Sequence, residues 1–391
     1  MSQAQLKILR QVVDLPTAPF AEGHVIRHIE KFVSRRTSLS LRRDPYGNLL
    51  VRYAPGKKLR KRIRPILLAA HMDHPGFVAA EMIDAKRVRA EFNGWVEAPY
   101  FKTAGIRFFS GGRWTPATIE QIVRHKPMKP ADRRAAFSAR SFGAKTPPAA
   151  VIARVREPIE PGSPGMWNLA DATIRDRRLR ARVCDDLAGL AAILCMLDAV
   201  CRRKAAVPCY AFFTRAEEVG FAGALAAVAD RTVPQDALIV AVENSKAIAG
   251  VALGDGPVLR VGDRATVFSP AVTAYCQVVA ENLAAKDKSF KYQRKLMDGG
   301  TCESTAYYHY GYNATGICLP LVHYHNMDTA RGRIAAESID VRDFENLVKW
   351  FVALAESPAT IKFDGTHPGL DERLKSLLKK YRGRLLETAR V

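Results

Sequence analysis

The stretch Cys209–Ala224, CYAFFTRAEEVGFAGA, decides how this chain is read. It opens as an apolar run and ends on two adjacent carboxylates, Glu217 and Glu218, with Arg215 the one opposite charge beside them in sequence. A buried carboxylate without compensation is costly, and two side by side cost more. Either the pair faces water, or positive charge from elsewhere in the fold meets it. The same grammar recurs along the chain. PILLAA (65–70) runs into HMDHPG, which carries His71, Asp73 and His74. DALIVAV (236–242) runs into Glu243, and past ATGICLP (314–320) comes LVHYHNMD with His323, His325 and Asp328. Asp185 and Asp186 stand just before the apolar run LAGLAAILCML.

The apolar runs 48–53, 65–70, 207–214, 236–242 and 314–320 read as buried strands. Helical patterns lie at 21–34, 186–204, 220–230, 303–311 and 340–356, while 271–280 fits either a strand or a helix. Near the N-terminus, Leu6, Ile8, Leu9, Val12 and Val13 mark the inward face of an amphipathic helix. Strands alternating with helices predict an α/β fold with its sheet covered on both faces. Residues 78–172 differ, with short alternating segments and Gly/Pro turn signals and little helical period. They are expected to form a small β-barrel or sandwich inserted into an α/β domain made of residues 1–77 and 173–391.

With 391 residues, 48% of them hydrophobic, the chain can build a sizeable core. Its net charge of +21 attracts anions. The basic runs 34–43, 56–64, 124–134 and 373–384 are scattered and lack interleaved aromatics, so they read as solvated faces, and nucleic acid is not the expected partner. No run approaches the roughly 18 apolar residues of a membrane span, so no membrane partner is expected. The N-terminus has no apolar signal core, which predicts a cytoplasmic protein. The seven cysteines include no CxxC pair, against both a disulfide framework and a structural zinc site.

In open α/β sheets, ligands bind at the carboxyl ends of the strands. Here four strand ends and one helix start all carry His, Asp or Glu, the common ligands of hard and borderline metals. Two divalent ions about 3.5–4 Å apart can share one carboxylate and one water, which becomes a strong nucleophile. One carboxylate must then stay off the metal to take the proton. Adjacent residues at a strand end point in different directions, so Glu218 can bind a metal while Glu217 faces the water. Metal charge answers the cost of burying the pair. Of Asp185 and Asp186, the second is expected to cap the following helix.

The segments DPYGNLLVRY, AAHMDHPGFV, CDDLAGLAA, TRAEEVGFAGA, ALIVAVENS, LGDGPVLRVGD and DGGTCESTAYYHYGYNATGICLPLVHYH resemble, in order, those of the co-catalytic di-zinc aminopeptidases. The similarity is greatest to the tetrahedral, dodecameric glutamyl aminopeptidase family and spans most of residues 5–356. It implies a mixed sheet sandwiched by helices, the zinc-exopeptidase fold, with an inserted small β-barrel. It implies two divalent ions per subunit, zinc or cobalt, and a homo-oligomer such as a dodecamer. By the same resemblance His71, Asp185, Glu218, Glu243 and His325 are metal ligands, with Asp185 bridging. Asp73 orients His71, and Glu217 is the general base that lets a metal-bridging hydroxide attack the peptide.

Several positions depart from that family. His74 stands where Glu is usual, Leu187 where Arg is usual, Glu243 where Asp is usual and Cys302 where Asp is usual, and the acidic residue Asp328 comes one position early. The expected activity is an aminopeptidase acting on short peptides. A deacylase or carboxypeptidase acting on N-acyl amino acids with the same metals, and a binding protein on a degenerate peptidase fold, remain as alternatives. His74 is read as a wall of the substrate site, a third metal contact or a surface loop residue, and Cys302 as a small buried residue.

Overall fold

A computed structural model describes residues 1–55, 64–102, 104–125, 146–357 and 368–388. Most of the basic runs 56–64 and 124–134 falls outside these residues. The first strands are β1 (Leu39–Arg43), β2 (Leu49–Tyr53), β3 (Ile66–His71), β4 (Gly76–Asp84), β5 (Arg87–Asn93), β6 (Gly105–Ser110), β7 (Arg113–Val123), β8 (Ala150–Val155) and β9 (Pro164–Trp167). After them come β10 (Thr173–Arg175), β11 (Arg178–Ala181), β12 (Cys209–Thr214), β13 (Leu238–Lys246), β14 (Val258–Asp263), β15 (Gln293–Met297), β16 (Asn313–Leu321), β17 (Met327–Asp328), β18 (Arg333–Ile334) and β19 (Glu337–Asp340). The α-helices are α1 (Gln3–Val13), α2 (Gly23–Ser34), α3 (Leu187–Arg203), α4 (Ala222–Ala229), α5 (Pro270–Lys286), α6 (Glu303–His309), α7 (Val341–Glu356) and α8 (Pro368–Thr388).

Among the described residues one mixed sheet runs in the order β1-β2-β12-β3-β13-β16-β14-β15. Its middle strands β12, β3, β13 and β16 are parallel neighbours. All six residues of β3 are buried, the signature of a strand covered on both faces. One large apolar cluster gathers α1, α2, α3, α5 and α7 against the sheet, and a second packs α4 and α6 residues such as Ala224, Ala227 and Tyr307 against Leu67, Ala69 and Ile239. The mixed sheet between helices is the predicted fold class.

Strands β4-β5-β8-β7-β6-β9 close into a barrel, as expected for the β-rich interval. Its interior is aromatic: Phe77, Phe92, Phe101 and Trp167 meet mostly edge to face at centroid distances of 4.8–6.4 Å. Gly165 makes room for this packing, because a Cβ there would stand 2.6 Å from the Phe108 ring.

The ambiguous segment 271–280 lies inside α5, not in a strand. Pro270 occupies the first turn, where its fixed φ and missing N–H suit a helix start. Length decides between strand and helix here, since 17 residues exceed an ordinary strand. At the N-terminus, α1 buries Leu9, Val12 and Val13, while Leu6 and Ile8 are half-buried at the margin.

Candidate metal centre

The parallel register places the ends of the four central strands together. His71, the last residue of β3, pairs with Thr214, the last of β12. Three residues beyond Thr214 the chain makes a short 3₁₀ turn, Glu217–Val219, entered through Ala216 at φ 51°. β13 does not stop at Glu243; it continues for three residues to Lys246, with Glu243 opposite Cys318 of β16. The loop after β16 brings His325, itself at φ 54°. Asp185 enters from the start of α3, joined to Asp186 by a cis peptide. Non-glycine residues held at positive φ are costly and persist where surrounding contacts hold them.

These residues converge. His71 Nε2 lies 3.5 Å from Asp185 Oδ1 and 3.9 Å from Glu243 Oε2. His325 Nε2 lies 3.2 Å from Glu218 Oε2 and 3.7 Å from Asp185 Oδ2. Asp185 therefore offers one carboxylate oxygen to each imidazole. The atoms of His71, Asp185 and Glu243 fall within 4.8 Å of one another, as do those of Asp185, Glu218 and His325, and those of His71, Glu217 and Glu218.

Asp73 works mainly on the other strand end. Its two oxygens accept the backbone N–H groups of Glu217 and Glu218, each at 3.0 Å. The Asp73 carboxylate is 3.6 Å from His71 Nδ1, whereas the Asp73 backbone carbonyl is nearer, at 3.2 Å. Arg215, the lone cation of the opening stretch, turns away from the pair to Glu22 at 2.9 Å.

Burial and mutual repulsion dominate the electrostatics. Burial, reinforced by Asp185, pushes Glu243 up to about 8. Burial and Glu243 raise Glu217 well above the carboxylate range. Burial works against the imidazolium of His71, but hydrogen bonds to Asp185 and Asp73 outweigh it and raise that group well above 6.5. Burial likewise disfavours charge on His325, and Glu218 overrides it, pushing the imidazole up to about 9. Glu218 Oε1, Glu243 Oε1 and His325 Nε2 are buried without a hydrogen-bond partner. Unsatisfied carboxylate oxygens and an imidazole nitrogen on residues of these trios are the donor types of a divalent ion, so the residues fit a metal centre.

His74 is neither a surface residue nor a ligand in this geometry. It is buried, with Nδ1 2.6 Å from the Asp185 carbonyl and Nε2 3.0 Å from Asn326 Oδ1. Asp186 stands at the helix cap position without a side-chain cap bond; its Oδ1 instead accepts from Asn244 Nδ2 at 2.8 Å. Asn244 also donates to the Cys184 carbonyl at 2.6 Å, so this side chain locks the Asp185–Asp186 corner. Gly189 lets that corner close, since a Cβ there would run into Asp186 and approach Val242 Cγ1 at 2.7 Å. Cys302 is fully buried, and burial raises its thiol far from reactivity.

Sequence reasoning missed Glu337, Glu22 and the Trp95 carbonyl. Glu337 Oε2 accepts from the N–H groups of Cys184 and Asp185, and its Oε1 from that of His325. Glu22 Oε1 accepts the Ala216 N–H at 3.0 Å and so anchors the turn that carries Glu217. The Trp95 carbonyl, at the edge of the barrel, is 2.7 Å from His325 Nδ1 and turns Nε2 toward the cluster.

Carboxylates and imidazoles gathered at the strand ends of this mixed sheet form a candidate metal centre in an α/β protein. The chain belongs to the M42 glutamyl aminopeptidase family, whose model matches residues 47–349. Among solved structures it resembles the TET1 peptidase of Pyrococcus horikoshii, which can assemble into a tetrahedron or a large octahedral shell. That likeness has a TM-score of 0.68 at 18% identity, over 90% of this chain and 99% of that one. It also resembles the aminopeptidase APDkam598 of the archaeon Desulfurococcus kamchatkensis, with a TM-score of 0.69 at 20% identity, over 91% and 96% of the two chains. A Thermotoga maritima protein described as an endoglucanase has a TM-score of 0.60 at 18% identity, over 89% and 96%. No curated protein matches the sequence. The structural likenesses speak to the fold, and the family match to the activity.

Proposed function

We propose that this aminopeptidase holds two divalent ions, one on His71, Asp185 and Glu243 and the other on Asp185, Glu218 and His325, and removes N-terminal residues from short peptides. The observation that carries this reading is the division of Asp185, with Oδ1 toward His71 and Oδ2 toward His325. Ions bound there, zinc or cobalt, would polarise the scissile carbonyl and activate a water. The chain's own part is to place and move a proton. Glu217 is buried, its backbone is held by Asp73, and the two-ion ligand set does not call on its carboxylate. It takes the proton of the attacking water on a carboxylate oxygen and returns it to the departing amine nitrogen. Asp73 holds the Glu217–Glu218 turn in place, and its backbone carbonyl orients His71.

The shared fold with the TET1 peptidase supports a homo-oligomer, of which a dodecamer is one form. Free cysteines throughout the described residues agree with a reducing, cytoplasmic setting. Purified protein should contain two equivalents of metal per chain, lose turnover of aminoacyl anilides on chelation and regain it with zinc or cobalt. N-acyl amino acids should be poor substrates. Full turnover by metal-free protein, or a preference for N-acyl substrates, overturns the reading.

A further inference from the structure

Helix α8 lies beyond the residues matched by the family model and takes no part in the site. On a 3.6-residue period Leu370, Leu374, Leu377, Leu378, Tyr381 and Leu385 share one face. That face is open to solvent: Leu374, Leu378 and Leu385 are 55%, 57% and 63% exposed. None of these side chains joins an apolar cluster of the described residues. Arg373, Lys380 and Arg384 border the apolar face on one side, and Lys375 and Arg382 on the other. Glu372 lies on the far face. The Lys380 ammonium sits 5.0 Å from the Tyr381 ring centre, at the seam between the polar and apolar faces.

We infer that α8 is a membrane-surface helix that lays its leucine face into the interface of an anionic lipid bilayer. Cations flanking the apolar strip on both sides are placed to meet lipid headgroups while the leucines enter the acyl boundary. Charge selects this occupant. A second copy of this helix would set the same flanking cations against Arg373, Lys375, Lys380, Arg382 and Arg384, whereas an anionic surface is attracted to them. No described helix is long and apolar enough to cross a membrane, so the contact is peripheral. This proposal departs from the sequence expectation of no membrane partner, and it does not depend on the proposed metal chemistry.

The test is flotation of the full-length protein with vesicles of phosphatidylcholine alone or mixed with phosphatidylglycerol. The bound fraction on mixed vesicles should exceed that on neutral ones by about tenfold at low salt. The triple variant Leu374→Ala, Leu378→Ala, Leu385→Ala keeps helix propensity and charge, and should fall to the neutral-vesicle level. Arg373→Gln with Arg382→Gln and Arg384→Gln should fall likewise, and both variants should retain peptidase turnover. Undiminished flotation of the alanine variant would show that net charge alone drives binding, and would overturn the inference. So would absence of flotation, capture by an acidic protein with no lipid effect, or a smaller oligomer for the alanine variant, which would assign the face to a second copy.

Discussion

Glu337 accepts the backbone N–H of His325 on Oε1 at 2.9 Å, while its other oxygen accepts the N–H of Asp185 at 3.0 Å. One fully buried carboxylate thus ties the loop after β16 to the start of α3. The distance between the two candidate ligands is set by a residue that holds their backbones. Replacing Glu337 with Ala leaves buried N–H groups unpaired, at about 1–3 kcal/mol each. Glu337→Gln keeps the shape and an acceptor. We expect the alanine variant to bind metal about 10- to 100-fold more weakly, as when support around a ligand is lost. Glu337→Gln should recover part of that affinity. Isothermal titration with zinc measures both, and unchanged affinity in the alanine variant would refute the positioning role.

Glu217→Gln should reduce kcat/KM by about 10²–10⁴, the range for loss of a general base. Its metal content should stay that of the wild type, because the two proposed trios do not use Glu217. Elemental analysis beside steady-state kinetics separates the two effects. Loss of metal in this variant would move Glu217 into the ligand set, which its place beside His71 and Glu218 allows geometrically.

His325→Ala and Asp185→Ala should differ in metal count. His325 belongs to one trio only, and Asp185 to both. The first variant should keep close to one equivalent per chain, and the second should fall toward none. Equal counts for the two would contradict a shared carboxylate.

Away from the centre, Asp343 accepts the N–H groups of Gly254 at 2.7 Å and Gly256 at 2.8 Å. Burial is the larger influence and pushes its carboxyl up to about 6, against 3.8 unfolded. The folded form therefore binds this proton more tightly than the unfolded chain. Its contribution to stability is complete below pH 3.8 and is lost as pH rises through about 6. Asp343→Asn should flatten the fall in thermal midpoint across that window. An unchanged slope in differential scanning fluorimetry between pH 4 and 6 would count against this account.

Much of the fold was legible because it follows from local period. β3 is a short apolar run between turn signals, and α3 is an apolar stretch too long for a strand. The segment now in α5 was ambiguous because its apolar residues satisfy both periods, and its full length shows only when the boundaries do. The candidate ligands were visible because each stands at or near a strand end or helix start, where a polar residue after an apolar run is conspicuous. Glu337 gave no such signal, and although Glu22 stands at a helix start and Asn244 beside Glu243, nothing local marked either as a support of the site. Each acts through hydrogen bonds to residues far away in the chain, and its own neighbours do not distinguish it.

The amino-acid order alone determined which segments become strands and helices and which residue types end them, since these depend on neighbours a few positions apart. Only the tertiary structure decided which oxygen of Asp185 faces which imidazole, that Asp73 braces the Glu217–Glu218 turn, and that His74 supports Asp185 from behind. Those relations rest on strand register and on buried polar groups finding partners across the sheet, and both are settled when the layers pack.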